Sequence, residues 1–341
     1  MQEETWELFC RVIDNYGDIG VNWRLARNLA ARGRRVRLWL DDAAPLAWMA
    51  PGRAPQGIEV LPWAASEHAA RADEVGDVVV ETFGCELPEG FVAAMARRKP
   101  APRWINLEYL SAEGYVERSH GLPSPQSSGP GRGLAKHFFY PGFTPRTGGL
   151  LREPGLLDAQ QRFDRAAWFA AHGIAPSGAR VVSLFAYADA DRERLVERLA
   201  DAPTLVLACA GGAAPAALPA AVRWLPLPLL SQAGYDHLLW ASDLNFVRGE
   251  DSFVRAQWAA KPFVWQIYEQ DDGVHAAKLD AFLARYAPGA AMARFWHAWN
   301  GLADWPDALP PLDAQAPLAW RAALLEQPDL VTQLLEFTRA C

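Results

Sequence analysis

Two acids, Asp14 and Asp18, and two glycines, Gly17 and Gly20, share residues 11–20, RVIDNYGDIG. The stretch follows an apolar run and opens a helical period, so it reads as the turn after a first strand. Glycine there permits a tight turn and a close backbone approach to a ligand. Two carboxylates on one turn can grip a cation and accept a proton. Asp18 equally suits the cap of the following helix, a job Asp14 does not have. The spacing is neither a GxGxxG dinucleotide fingerprint nor a P-loop, because no GK[ST] follows.

A second candidate is residues 247–253, VRGEDSF. Gly249 lets the chain turn, and Ser252 or Asp251 suits the cap of the next helix. Amides at a helix start make an anion site. Arg248 adds a positive charge able to offset a diphosphate, and Glu250 supplies an acid beside it. A plain capped helix with solvated charges accounts for the same letters. Phe185 and Tyr187 end the strand-like residues 184–187, LFAY, where they can stack a nucleobase. In-and-out alternation along a strand accounts for them as well. Gln266 and Tyr268 end another such run.

Other chemistries lack their residues. No GxSxG elbow occurs, and the seven histidines form no HExxH or HxH pattern. Cys10, Cys85, Cys209 and Cys341 are scattered without a CxxC, as expected of reduced structural thiols. The acidic pairs Asp41-Asp42 and Asp271-Asp272 read as solvated turns, so no metal is expected.

These side chains need elements to position them. Strands are expected at 6–13, 36–40, 58–63, 78–81, 104–107 and 136–143, with helices at 21–31 and 91–98. The second half repeats the alternation. Its strands are expected at 180–186, 204–208, 222–225, 244–247 and 263–267. Its helices are expected at 158–172, capped by Asp158, and at 189–199, 235–241, 253–260 and 273–286. Residues 121–133, GLPSPQSSGPGRG, read as a mobile loop. Strands separated by helices imply parallel sheets covered on both faces. The expected class is α/β, with two Rossmann-like domains facing each other across a cleft lined by the turns after strands. The domains are drawn at 1–155 and 156–317. Closing helices within 318–341 are expected to pack back on the first domain.

A chain of 341 residues suits roughly two domains. Composition is 51% hydrophobic and 21% charged, which excludes a disordered chain. The net charge of −7 excludes generic nucleic-acid binding and permits steering toward a basic partner. Residues 202–222 are uncharged and long enough to span a bilayer. Their prolines and Gly211-Gly212 favour two strands and a small-residue loop instead. The polar, acidic N-terminus is not a signal peptide. A soluble cytoplasmic protein with neither membrane nor nucleic-acid partner is expected.

By its motifs the chain resembles the EarP family, arginine rhamnosyltransferases that modify bacterial elongation factor P. The resemblance spans nearly the whole chain. It rests on residues 13–20 (IDNYGDIG), 106–113 (NLEYLSAE), 139–144 (FYPGFT), 262–268 (PFVWQIY) and above all 245–258 (NFVRGEDSFVRAQW). It implies a GT-B glycosyltransferase that inverts dTDP-β-L-rhamnose onto an arginine of elongation factor P, activating that factor to rescue ribosomes stalled at polyproline. No cofactor is implied, since the nucleotide sugar is a substrate. Phe185 matches the thymine-stacking position, with Tyr187 nearby. Glu250, Asp251 and Ser252 match the diphosphate contacts, with Arg248 beside them, and Gln232 and Tyr268 line the nucleotide. At 229–232 the family's Phe-x-x-Gln-like pattern is LLSQ. Asn15 and Gly17 join the donor set. Asp14 and Asp18 match the functional acids, Asp18 being the base, and Glu250 joins them as a third catalytic acid.

The chemistry agrees with those residue types. A guanidinium has a pKa above ~12, so it arrives charged and poorly nucleophilic. One acid can orient it while another takes its proton. The departing diphosphate builds negative charge that helix amides and Arg248 can stabilise. Two alternatives share much of this sequence. One is a GT-B transferase with another nucleotide sugar or acceptor; the other is a non-catalytic protein that binds the factor or a nucleotide.

Overall fold

A computed structural model describes residues 4–12, 16–67, 71–269 and 273–340. The chain divides into two compact units, Met1–Pro154 with Glu326–Cys341, and Gly155–Leu325.

The first unit is built on seven strands: β1 (Thr5–Cys10), β2 (Arg35–Leu40), β3 (Ile58–Pro62), β4 (Val78–Thr82), β5 (Arg103–Leu107), β6 (Pro123–Pro125) and β7 (Ala135–Phe139). Their order is β3-β2-β1-β4-β5-β7-β6, parallel except for β6. Along β1 the side chains alternate between two cores. Trp6, Leu8 and Cys10 pack with Ile19, Leu25 and Leu29 of the helix Gly17–Ala31 on one face. Phe9 packs with Trp39, Phe91 and Trp104 on the other. Apolar residues on both faces are what a parallel sheet covered by helices requires. Glu7 is the exception, fully buried. It is satisfied by the Gly76 amide and the Trp39 indole, each donating at 2.8 Å, and by Arg37. Desolvation raises its pKa even so.

The second unit holds β8 (Arg180–Leu184), β9 (Thr204–Ala208), β10 (Val222–Pro226), β11 (Leu244–Arg248) and β12 (Phe263–Gln266), all parallel in the order β10-β9-β8-β11-β12. Both sheets therefore reverse strand order at their first strand, beside β4 and β11 respectively. Open α/β sheets bind ligands at the carboxyl ends of strands beside that reversal.

Three local expectations are corrected. Residues 121–133 are not a loose loop. They contain β6, paired antiparallel with β7, and the chain turns back through Gly129 and Gly133 at φ 71° and 91°. Prolines are tolerated there because β6 is an edge strand. The helix expected at 158–172 is two, Leu156–Gln161 and Arg165–Ala171. The cap is Asp164 rather than Asp158: its carboxylate accepts the Ala167 amide at 3.0 Å and starts a new helix. Finally, of the closing helices only Leu330–Ala340 joins the first unit, burying Leu330, Val331 and Leu334 in its core. Gln315–Leu325 stays with the second unit, where the Trp320 indole donates to Gln257 at 2.8 Å and Arg321 to Gln160 at 2.6 Å. Among the described residues no helix is long and apolar enough to cross a membrane, and the uncharged stretch 202–222 contains β9 and the loop before β10.

Candidate active site

The first unit presents Asp18 at the end of β1. Tyr16 holds the N-cap position of the helix and makes no side-chain cap bond; Asp18 lies inside its first turn. Its carboxylate is therefore not the helix cap. Asp18 is buried, and the Tyr109 hydroxyl lies 3.5 Å from its Oδ1. Its carbonyl accepts from Asn22 Nδ2 at 2.9 Å, which also donates to Thr82 Oγ1 at the end of β4. Burial, then the charge of Asp18, push the Cys10 thiol well up. Gly17 is the first residue of the helix. Asp14 and Asn15 lie outside the described residues, as do Asp271, Asp272 and Cys341. Asp41 does more than sit in solvent: it accepts the Val12 amide at 3.1 Å, holding the chain that leaves β1.

Tyr109, which faces Asp18, carried no expected role. Tyr109 stacks on Phe83 with centroids 4.2 Å apart and planes 11° apart. Phe83 adopts φ 57°, a conformation costly for a side chain of that bulk. Tyr109 belongs to the motif at 106–113, but nothing in one sequence pairs it with a residue 91 positions away. Glu108, in the same motif, accepts from Asn106 at 2.7 Å; burial and then the Glu81 charge raise its pKa.

The second unit gathers its candidates at the ends of β8, β11 and β12. The guanidinium carbon of Arg248 lies 4.4 Å from the Phe185 ring centre and 4.5 Å from that of Tyr187. Gln266 Oε1 accepts the Tyr187 amide at 2.8 Å, and half-exposed Tyr268 meets Tyr187 edge-on at 5.8 Å. Phe185 meets Tyr235 edge-on, also at 5.8 Å. Gln232 is buried in the first turn of the helix Gln232–Ala241, whose cap Ser231 accepts the Gly234 amide at 3.1 Å.

The turn at 249–250 is built rigidly. Gly249 takes φ 61°, open to glycine at no steric cost, and its carbonyl accepts the Trp265 indole at 2.9 Å. Trp265 in turn stacks on Phe253 at 4.0 Å. Neither Ser252 nor Asp251 caps the helix Asp251–Ala259. Glu250 occupies the N-cap position, and its side chain does not cap the helix. Ser252 Oγ instead accepts the Arg248 amide at 3.1 Å and donates to the Arg248 carbonyl, closing the turn. The first intrahelical bond runs from Val254 to Glu250, so the amides of the first turn point along the axis toward the strand ends. Arg255 anchors this helix through a bidentate pair with Asp236 of the neighbouring helix, both bonds 2.8 Å.

Two parallel Rossmann-like units, each with candidate side chains at the strand ends, define a GT-B glycosyltransferase. The glycosyltransferase SnogD from Streptomyces nogalater shares the fold at TM-score 0.51 and 16% identity, over 99% of this chain and 100% of that one. The model of the family described as Elongation-Factor P (EF-P) rhamnosyltransferase EarP matches residues 6–339, and the chain belongs to that family of rhamnosyltransferases. A protein-arginine rhamnosyltransferase of Pseudomonas putida is 43% identical, with 98% of each chain covered. A solved structure, described as the structural basis for EarP-mediated arginine glycosylation of translation elongation factor EF-P, matches with TM-score 0.62 and 32% identity over 99% of each chain.

Proposed function

We propose that this enzyme transfers L-rhamnose from dTDP-β-L-rhamnose to an arginine side chain of elongation factor P, with inversion, in the cytoplasm. The modified factor would then act on ribosomes stalled at polyproline. The observation that carries this reading is a division of labour. The first unit offers a buried carboxylate, Asp18, at its strand reversal. The second offers aromatic faces, a guanidinium and a helix start at its own.

In this reading the thymine stacks on Phe185, near Tyr187, Tyr268 and Gln232. The diphosphate meets the helix start at 251–253, with Arg248 and Glu250 beside it, and Asn15 and Gly17 complete the donor set. The guanidinium nitrogen attacks the anomeric carbon and forms the new C–N bond. The C–O bond to the diphosphate breaks and its electron pair leaves on dTDP. Asp14 orients the guanidinium and Asp18 takes its proton, late, once glycosylation has made the nitrogen more acidic.

No group of three or more His, Cys, Asp or Glu side chains able to hold a metal occurs among the described residues. Arg248 and the helix amides supply the charge stabilisation a divalent ion would otherwise give. Activity in excess EDTA should equal that without it; a loss restored by magnesium or manganese would contradict this. Phe185→Ala should weaken dTDP binding by about 1–3 kcal/mol, the scale of a lost base stack. Calorimetric titration against dTDP measures it, and unchanged affinity would put the base elsewhere. The proposal as a whole is tested by dTDP release from dTDP-rhamnose. Release should rise steeply when elongation factor P is added; binding of both without release would favour a non-catalytic role.

A further inference from the structure

In the nucleotide-sugar reading, Arg248 faces two demands that one side-chain position cannot meet. Its guanidinium lies against the Phe185 and Tyr187 rings at 4.4 and 4.5 Å, the separation at which aromatic groups stack. A nucleobase stacking on that side of Phe185 needs the same layer. Among the described residues no carboxylate holds the guanidinium in an ion pair, so the two rings are its chief partners. Its backbone, in contrast, is fixed. Ser252 Oγ bridges the Arg248 amide and carbonyl, and Trp265 pins the next carbonyl at 2.9 Å. Any exchange of partners is therefore a side-chain motion alone. The alternative partner is close in the chain, because an anion seated at the helix start three residues on lies within an arginine's reach.

We infer that Arg248 makes the site specific for nucleotides that carry a diphosphate. The guanidinium occupies the aromatic layer and yields it when the same ligand brings an anion for it to pair with. A nucleoside must displace the guanidinium and gives nothing in return. A nucleoside diphosphate exchanges a cation–π contact for charge-assisted hydrogen bonds. The layer is then closed to nucleosides and open to donor and product. The inference rests on the nucleotide-sugar reading above.

The test compares thymidine with dTDP on the full chain, using ligand-observed NMR for the weak ligand and calorimetry for the strong one. Arg248→Ala should bind thymidine about threefold to thirtyfold more tightly than the wild type, the scale of one or two cation–π contacts. The same variant should bind dTDP more weakly. Arg248→Lys keeps the charge but loses the planar stacking group. It should gain on thymidine and keep most of its dTDP affinity. Melting temperatures of both variants are measured alongside, so that Arg248→Lys decides the matter if Arg248→Ala is unstable. A folded variant with no gain on thymidine would overturn the inference while leaving dTDP binding, and the nucleotide-sugar reading, intact. A wild type that binds neither ligand would overturn both.

Discussion

Replacing Asp18 with Asn is expected to lower turnover by about 10²–10⁴, the usual contribution of a general base. Asparagine keeps the size of the side chain but cannot take a proton. Binding of dTDP should hardly change, because the residues assigned to the thymine and the diphosphate belong to the other unit. Tyr16, not Asp18, holds the N-cap position, so the change removes no helix cap, and asparagine keeps the side chain's size and an acceptor oxygen; stability should change little. The measurement is turnover, dTDP affinity and melting temperature on one preparation. Asp14→Asn should also slow turnover, by looser positioning of the guanidinium, and Glu250→Gln should weaken donor binding as well. A normally active Asp18→Asn enzyme would remove Asp18 as the base and leave Asp14 or Glu250 for that role.

The second large effect is on folding. Arg255 and Asp236 are both buried, with side chains 2% and 9% exposed, and they tie the helix Asp251–Ala259 to the helix Gln232–Ala241. Arg255→Ala leaves the Asp236 carboxylate buried without its bidentate partner, at a cost of about 3–5 kcal/mol. Urea unfolding measures it. Replacing both residues by apolar side chains of similar volume should recover most of the loss, since the ion pair itself repays little beyond its own desolvation. If the double replacement is as damaging as Arg255→Ala, the charges do something besides satisfy each other. Donor binding should fall with Arg255→Ala even in the folded fraction, because the pair holds the helix start in place.

The strands were legible because parallel strands buried on both faces leave short apolar runs: β9 was expected at 204–208 and spans Thr204–Ala208. Their ends were less so. The first strand stops at Cys10, although apolar Val12 follows, because the Val12 amide goes to Asp41. Caps were misassigned where two polar residues competed. The letters EDSF offered Asp251 and Ser252, yet Ser252 spends its hydroxyl on the turn at Arg248. The candidate site was legible only as separate pieces, each a turn after a strand. Its assembly was not, because contacts such as Tyr109 to Asp18 or Arg248 to Phe185 join residues far apart in the chain. Stacking geometry also has no signature in a single sequence. Arg248 was expected beside a diphosphate, and its place over two aromatic rings came only from the structure.

The central claim is that this enzyme moves rhamnose onto an arginine of elongation factor P. The most direct test is the intact mass of that factor after incubation with the protein and dTDP-rhamnose, followed by fragmentation to locate the change. The expected result is one added deoxyhexose, carried on an arginine and absent when either enzyme or donor is omitted. An unchanged mass, with enzyme and factor both verified as folded, would contradict the account, as would a sugar found on any other type of residue.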